Sequence, residues 1–78
     1  MQRHKRVNLD HARHILAHLD SRGSISRTRL EKGFPESHAS FNNVFDFLRT
    51  AGYIAKASTA HRAPYTITAK GKRFLESL

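Results

Sequence analysis

The sequence of 78 residues reads as an α+β chain, mainly α: three helices, a two-stranded β-hairpin and a C-terminal helix. Apolar residues recur at helical spacing in segments before Gly52. Two short β-rich runs follow, divided by a polar stretch that ends in proline. Ser, Thr or Asn precedes each helical segment, and glycine follows the first three.

Residues 1–7 hold Arg3, Lys5 and Arg6 with little that is apolar, and are expected to be a flexible basic arm. Residues 8–78 form one domain. Asn8 is the first N-cap. Leu9, Ala12, Ile15, Leu16 and Leu19 make one stripe, so the first helix is expected over residues 9–21, with Gly23 as its stop. Ile25, set between serines, is suited to a one- or two-residue strand contact. Ser26 caps a short helix over 27–32, which Gly33 ends. Pro35 keeps the next residues out of helix. Ser37 caps a longer helix over 38–51, with Phe41, Val44, Phe45 and Leu48 on one face and Gly52 at its close. Strands are expected over 53–57 and 65–68, with Ile54, Tyr65 and Ile67 inward and a long flexible tip between them. Thr68 caps a last helix over 69–78, with Phe74, Leu75 and Leu78 apolar. Gly71, in its first turn, allows close packing against a neighbouring backbone. A short capped helix, a turn with Gly and Pro, then a longer amphipathic helix is the helix-turn-helix pattern. With the hairpin it makes a winged helix.

Charge narrows the function. Fourteen Lys and Arg stand against six Asp and Glu, giving +8 and a pI near 10.9. A small domain this basic favours polyanions. The cations spread over several segments rather than one tail. The absence of cysteine excludes disulfides and thiolate metal sites. No apolar run approaches the ~20 residues of a membrane span. The basic N-terminus has no apolar run behind it and is not expected to be a secretory signal. A cytoplasmic, nucleoid-associated location is the expectation.

Catalysis finds no support. There is no Gly-rich phosphate loop, no usefully spaced carboxylate pair and no nucleophile elbow. No enzyme activity and no cofactor are expected. Six histidines are many for this length. His11, His14 and His18 lie at i, i+3 and i+7 on the first helix, away from its apolar stripe. Such spacing can hold Zn²⁺ or Ni²⁺. No cysteine or nearby carboxylate completes a site, so a surface or subunit-contact stripe is the simpler reading, and no metal is expected.

The run Leu48-Arg49-Thr50-Ala51-Gly52-Tyr53-Ile54 resembles the join between recognition helix and wing in winged helix-turn-helix regulators. The segment from Tyr65 to Leu75, YTITAKGKRFL, resembles their wing-to-last-helix segment, commonly Tyr-x-Leu-Thr-x-x-Gly-x-x-Phe/Leu-Leu. The resemblance covers roughly residues 9–78 and is nearest to compact archaeal-type winged-helix proteins and PadR- and MarR-like regulators. It implies double-stranded DNA as partner, with helix 38–51 in the major groove. Many relatives carry a long dimerising helix before or after the wing domain, whereas this sequence ends at Leu78. A homodimer is still expected, because one small domain reads a short site poorly. The first and last helices, and Phe47 at the rim of its stripe, are the candidate dimer surfaces.

With the apolar face of helix 38–51 inward, the wheel turns Ala39, Asn43, Asp46 and Thr50 outward. Asn42 and Arg49 lie to one side and Ser40 nearer the other edge. Base reading is expected from among Ser37, His38, Ser40, Asn42, Asn43 and Asp46. Asparagine suits adenine, and an aspartate either accepts from cytosine or pairs with a nearby arginine. Phosphates are expected at Arg22, Arg27, Arg29, Lys32 and Arg49, and at His61 and Arg62 on the wing, with Arg62 reaching the minor groove. Lys70, Lys72 and Arg73 are either phosphate contacts or solvated. No ligand pocket and no membrane contact are expected. Two other readings fit the composition: a winged-helix protein-interaction module or inhibitor, and an architectural protein coating DNA without sequence preference.

Overall fold

Helices in this chain begin where a side-chain oxygen takes up backbone N–H groups that the first turn leaves without acceptors. The computed structural model describes residues 7–78, and residues 1–6, most of the expected arm, lie outside it. Val7, assigned to the arm from sequence, packs against the core. Asn8 caps α1 (Leu9–Arg22), accepting from the N–H groups of Asp10 and His11. Ser26 caps α2 (Arg27–Lys32) through the Arg29 N–H. Ser37 caps α3 (His38–Thr50) through the Ser40 N–H. Thr68 caps α4 (Ala69–Ser77) through the Gly71 N–H. Each such cap contributes about 1 kcal/mol.

The second helix has the expected bounds, and the other three depart from them by one residue at their C-terminal ends. The first helix runs on to Arg22 because the Gly23 N–H still reaches the Leu19 carbonyl at 2.8 Å. The third closes at Thr50 in a paired-bond stop. Gly52 N–H donates to Arg49 O at 3.1 Å and Tyr53 N–H to Leu48 O at 2.9 Å. Gly52 takes a φ of 83°, which a side chain would resist.

That stop also trims the hairpin. Tyr53 spends its N–H on α3, so β1 covers only Ile54–Lys56, and Thr68 starts a helix, so β2 covers only Tyr65–Ile67. The strands pair antiparallel, with Ile54 opposite Ile67 and Lys56 opposite Tyr65. Ile25 makes the expected strand contact. It exchanges two backbone bonds with Tyr65, at 3.0 and 2.8 Å, and ties the α1–α2 connection to the hairpin. The tip is a closed turn rather than an open loop. Ala63 N–H donates to Ala60 O at 3.1 Å, and Ala63 is buried.

The core lies between α1 and α3. Ile15, Leu16 and Leu19 from the first meet Phe41, Phe45 and Leu48 from the third, with Leu30 of α2 and Ile54 of β1 completing it. Aromatic rings run through it from Phe34 to Phe41, Phe45 and Tyr65, at centroid spacings of 5.3, 5.3 and 4.9 Å. A second cluster joins Phe47, Tyr53 and Phe74, and the last two stack at 4.3 Å. The fourth helix returns against α1 and β2. Three helices, a hairpin and a returning helix make a mainly helical α+β fold of winged-helix topology.

The hairpin is locked to α4 at Gly71. A β-carbon there would lie 2.1 Å from the Tyr53 carbonyl oxygen and 2.8 Å from Ile67 Cγ1. The first contact is with backbone, which cannot swing away. Gly71→Ala is therefore expected to destabilise the fold by about 2 kcal/mol or more. Urea denaturation followed by far-ultraviolet circular dichroism measures this, and a wild-type midpoint would show that the junction yields.

Candidate nucleic-acid interface

The short helix and the long one are joined by a polar chain at their surface. Positions 27 and 31 of α2 share one face, as do 38 and 42 of α3, each pair being one turn apart. Arg27 Nη2 donates to Asn42 Oδ1. Asn42 Nδ2 donates to His38 Nε2 at 3.0 Å. His38 Nδ1 then contacts the Glu31 carboxylate. This order requires the His38 proton on Nδ1, so the imidazole accepts from the amide and donates to the acid. The Arg27 guanidinium also lies over the Phe45 ring, 5.0 Å from its centroid. The amide of Asn42 is thereby oriented, oxygen toward the arginine and nitrogen toward the histidine. One amide proton and one lone pair remain for a further partner.

Three expected site residues, Arg27, His38 and Asn42, thus come together, and the sequence reading missed the fourth member, Glu31. Its signal was present as two one-turn spacings on consecutive helices. Ser37 and Ser40 meet at the start of α3: the Ser37 hydroxyl accepts from the Ser40 N–H and bonds the Ser40 hydroxyl at 3.3 Å. Asp46 takes the second of its expected options, an ion pair with Arg49 at 3.4 Å. Both are exposed, so the pair adds little stability.

Asn43 keeps the side of α3 on which the wheel sets it. It lines a groove with Asp46 and Thr50 of the same face and with Val7 and Leu9, and is half-buried, as Asn42 is. The start of α1 comes alongside this part of α3. At the N-terminal half of α3, His38 is exposed and Asn42 is held by its neighbours.

Arg27 and Arg29 leave α2 on different sides. Two residues on a helix diverge by about 200°. Arg27 turns to α3, whereas Arg29 lines a cleft with His18 and Arg22 of α1. Lys32 is exposed at the end of α2. On the hairpin, His61 and Arg62 are the two central residues of the Ala60–Ala63 turn, and both are exposed. Arg62 has a φ of 71°, in the left-handed region where residues other than glycine are uncommon. Lys70 donates to the Ala51 carbonyl at 2.8 Å and so caps the end of α3, and Lys72 pairs with Asp20 at 3.9 Å. Arg73 is exposed.

The histidines do not stand apart from the apolar side of α1. His11 and His14 are half-buried against Phe34, at 5.1 and 6.1 Å between centroids, because the turn after α2 folds Phe34 over them. His14 Nε2 donates to the Gly33 carbonyl at 3.2 Å. His18 stacks obliquely on His14 at 4.5 Å. Among the described residues, no group of three or more His, Cys, Asp or Glu is disposed to hold a metal ion. Nor is any described helix long and apolar enough to cross a membrane. Neither a scan against protein-family models nor a search of curated proteins finds a match to this chain, so the functional reading rests on its own residues.

The link between the two helices is expected to appear in a double-mutant cycle. Arg27→Ala and Asn42→Ala should each cost on the order of 1 kcal/mol, with a coupling of about 0.5–1 kcal/mol between them. Additive effects in chemical denaturation would show that the two side chains do not support each other.

Proposed function

We propose that this chain is a sequence-specific double-stranded DNA-binding protein, a small transcriptional regulator that acts by occupying an operator. The observation that carries the reading is the oriented Asn42 amide. It sits at the surface on the N-terminal half of the long helix of a helix-turn-helix, in a chain of net charge +8. An asparagine so oriented offers the donor and acceptor that an adenine edge requires in the major groove. His38 flanks it, and Arg27 stands beside it. The hairpin turn, with His61 and Arg62, carries cationic charge to the adjacent backbone or minor groove.

Charge balance supports the same reading. Asp10, Asp20, Glu31, Glu36 and Asp46 each lie within ion-pair distance of a basic side chain. Arg22, Arg29, Lys32, Lys56, Arg62 and Arg73 have no acidic partner among the described residues. Lys32, Lys56 and Arg62, outside the cleft that Arg22 and Arg29 line, are the part of this surplus free to meet duplex phosphates, whose neutralisation drives binding through counterion release. Two copies on a pseudo-palindromic site complete the proposal, because a symmetric operator doubles the bases read.

Selection of bound duplexes from a random pool, followed by titration of the best site, tests this. About six neutralised phosphates predict a slope near −5 for log affinity against log salt. Asn42→Ala is expected to cost about 1–3 kcal/mol on the best site and to relax preference at one or two positions. Arg62→Gly relieves the left-handed backbone and so leaves the fold intact, yet should weaken all sequences and flatten the slope by about one unit. A pool that yields no preferred sequence contradicts the regulator and favours a coating protein. No binding at all favours a protein-interaction module.

A further inference from the structure

We infer that the cleft between α1 and α2 is a second binding site, one that takes a small phosphorylated anion. The cleft has a volume of about 510 Å³ and is lined by His18, Arg22, Ser24, Ser26 and Arg29, among others. Two arginines and a histidine thus line it from two helices. Guanidiniums match phosphate oxygens with paired, charge-assisted hydrogen bonds. The Ser26 oxygen accepts from the Arg29 N–H, which leaves its hydroxyl proton to donate.

No acid opposes these cations. Asp20, on the same helix as His18 and Arg22, is turned by about 200° from each and pairs with Lys72 of α4. Glu31, the acid of α2, is occupied by His38. Among the described residues, neither Arg22 nor Arg29 has an acidic partner, and no acidic residue lines the cleft.

The site is separate from the proposed duplex surface. Arg29 and Arg27 leave α2 on nearly opposite sides, and Arg27 is the one that turns to α3. A concave cleft of this size fits a compact phosphorylated molecule, a scale shared by small-ligand sites in general. The inference goes beyond the DNA reading and stands if that reading fails.

Nuclear magnetic resonance on the full chain tests it, with inorganic pyrophosphate as probe and a short DNA duplex in a parallel titration. Pyrophosphate should shift the His18 ring and the amides from Ser24 to Arg29 saturably. Arg22→Gln with Arg29→Gln should weaken it roughly tenfold or more, since two charged hydrogen-bond donors are lost. Both residues are exposed, so the fold is expected to survive, and the wild-type pattern decides the matter if it does not. Arg62→Gly should leave pyrophosphate binding unchanged while weakening the duplex. Shifts spread evenly over all cationic segments, equal affinity in the double variant, or perturbation of the cleft by duplex alone would overturn the site.

Discussion

At Gly71 the first turn of α4 lies against the Tyr53 carbonyl with no room for a β-carbon, and the placement of the hairpin and of α4 depends on that contact. The same carbonyl accepts from the Thr68 N–H at 3.0 Å, and the Thr68 hydroxyl donates to the Gly52 carbonyl at 2.7 Å. Lys70 reaches back to Ala51 from the same turn. Ala51, Gly52 and Tyr53, after α3, are thus bound to Thr68, Lys70 and Gly71 at the start of α4. The hairpin between them leaves the junction in one direction and carries Arg62 with it. The fourth helix is held over α1, and Phe74 stacks on Tyr53. A chain this short buries only roughly 60–65% of its unfolded surface, so fixed junctions of this kind matter more than in a larger domain.

Electrostatics then divides the surface. Five of the six acids have a basic partner, three of them within their own helix or the next one. Such exposed pairs add little to stability. Their consequence is spatial, because they leave the positive surplus at α2, at the hairpin turn and at the cleft facing α1. Glu31 has a further role. It anchors His38, and His38 in turn orients the amide of Asn42. An acid in a strongly basic domain is thereby used to aim a neutral group.

Much of this was legible in the sequence where single residues decide backbone geometry. Asn8, Ser26, Ser37 and Thr68 mark helix starts because their oxygens replace missing acceptors, and each stands at the cap the structure shows. Gly52 and Gly71 were readable as a stop and a close approach. Ile25 was readable as a strand contact. What was not legible depends on which helix meets which. The periodicity of α1 cannot reveal that Phe34 will fold over His11 and His14. The wheel of α3 gives an outward face for Asn43 but not the arrival of Val7 and Leu9 beside it, the latter left 51% exposed. The divergence of Arg27 from Arg29 follows from helical geometry, yet the partners that each would find do not. The Ala60–Ala63 turn carries no glycine or asparagine at its left-handed position, so sequence offered no mark of it.

The central claim is that the N-terminal half of α3 and the hairpin turn address one duplex together. Amide chemical-shift mapping with a pool-selected duplex tests it most directly. The account predicts saturable shifts at residues 38–42 and at 60–63 in the same titration, with the amides around Phe74 unmoved. Shifts confined to one of the two segments, or centred on the α1–α4 side, would contradict it.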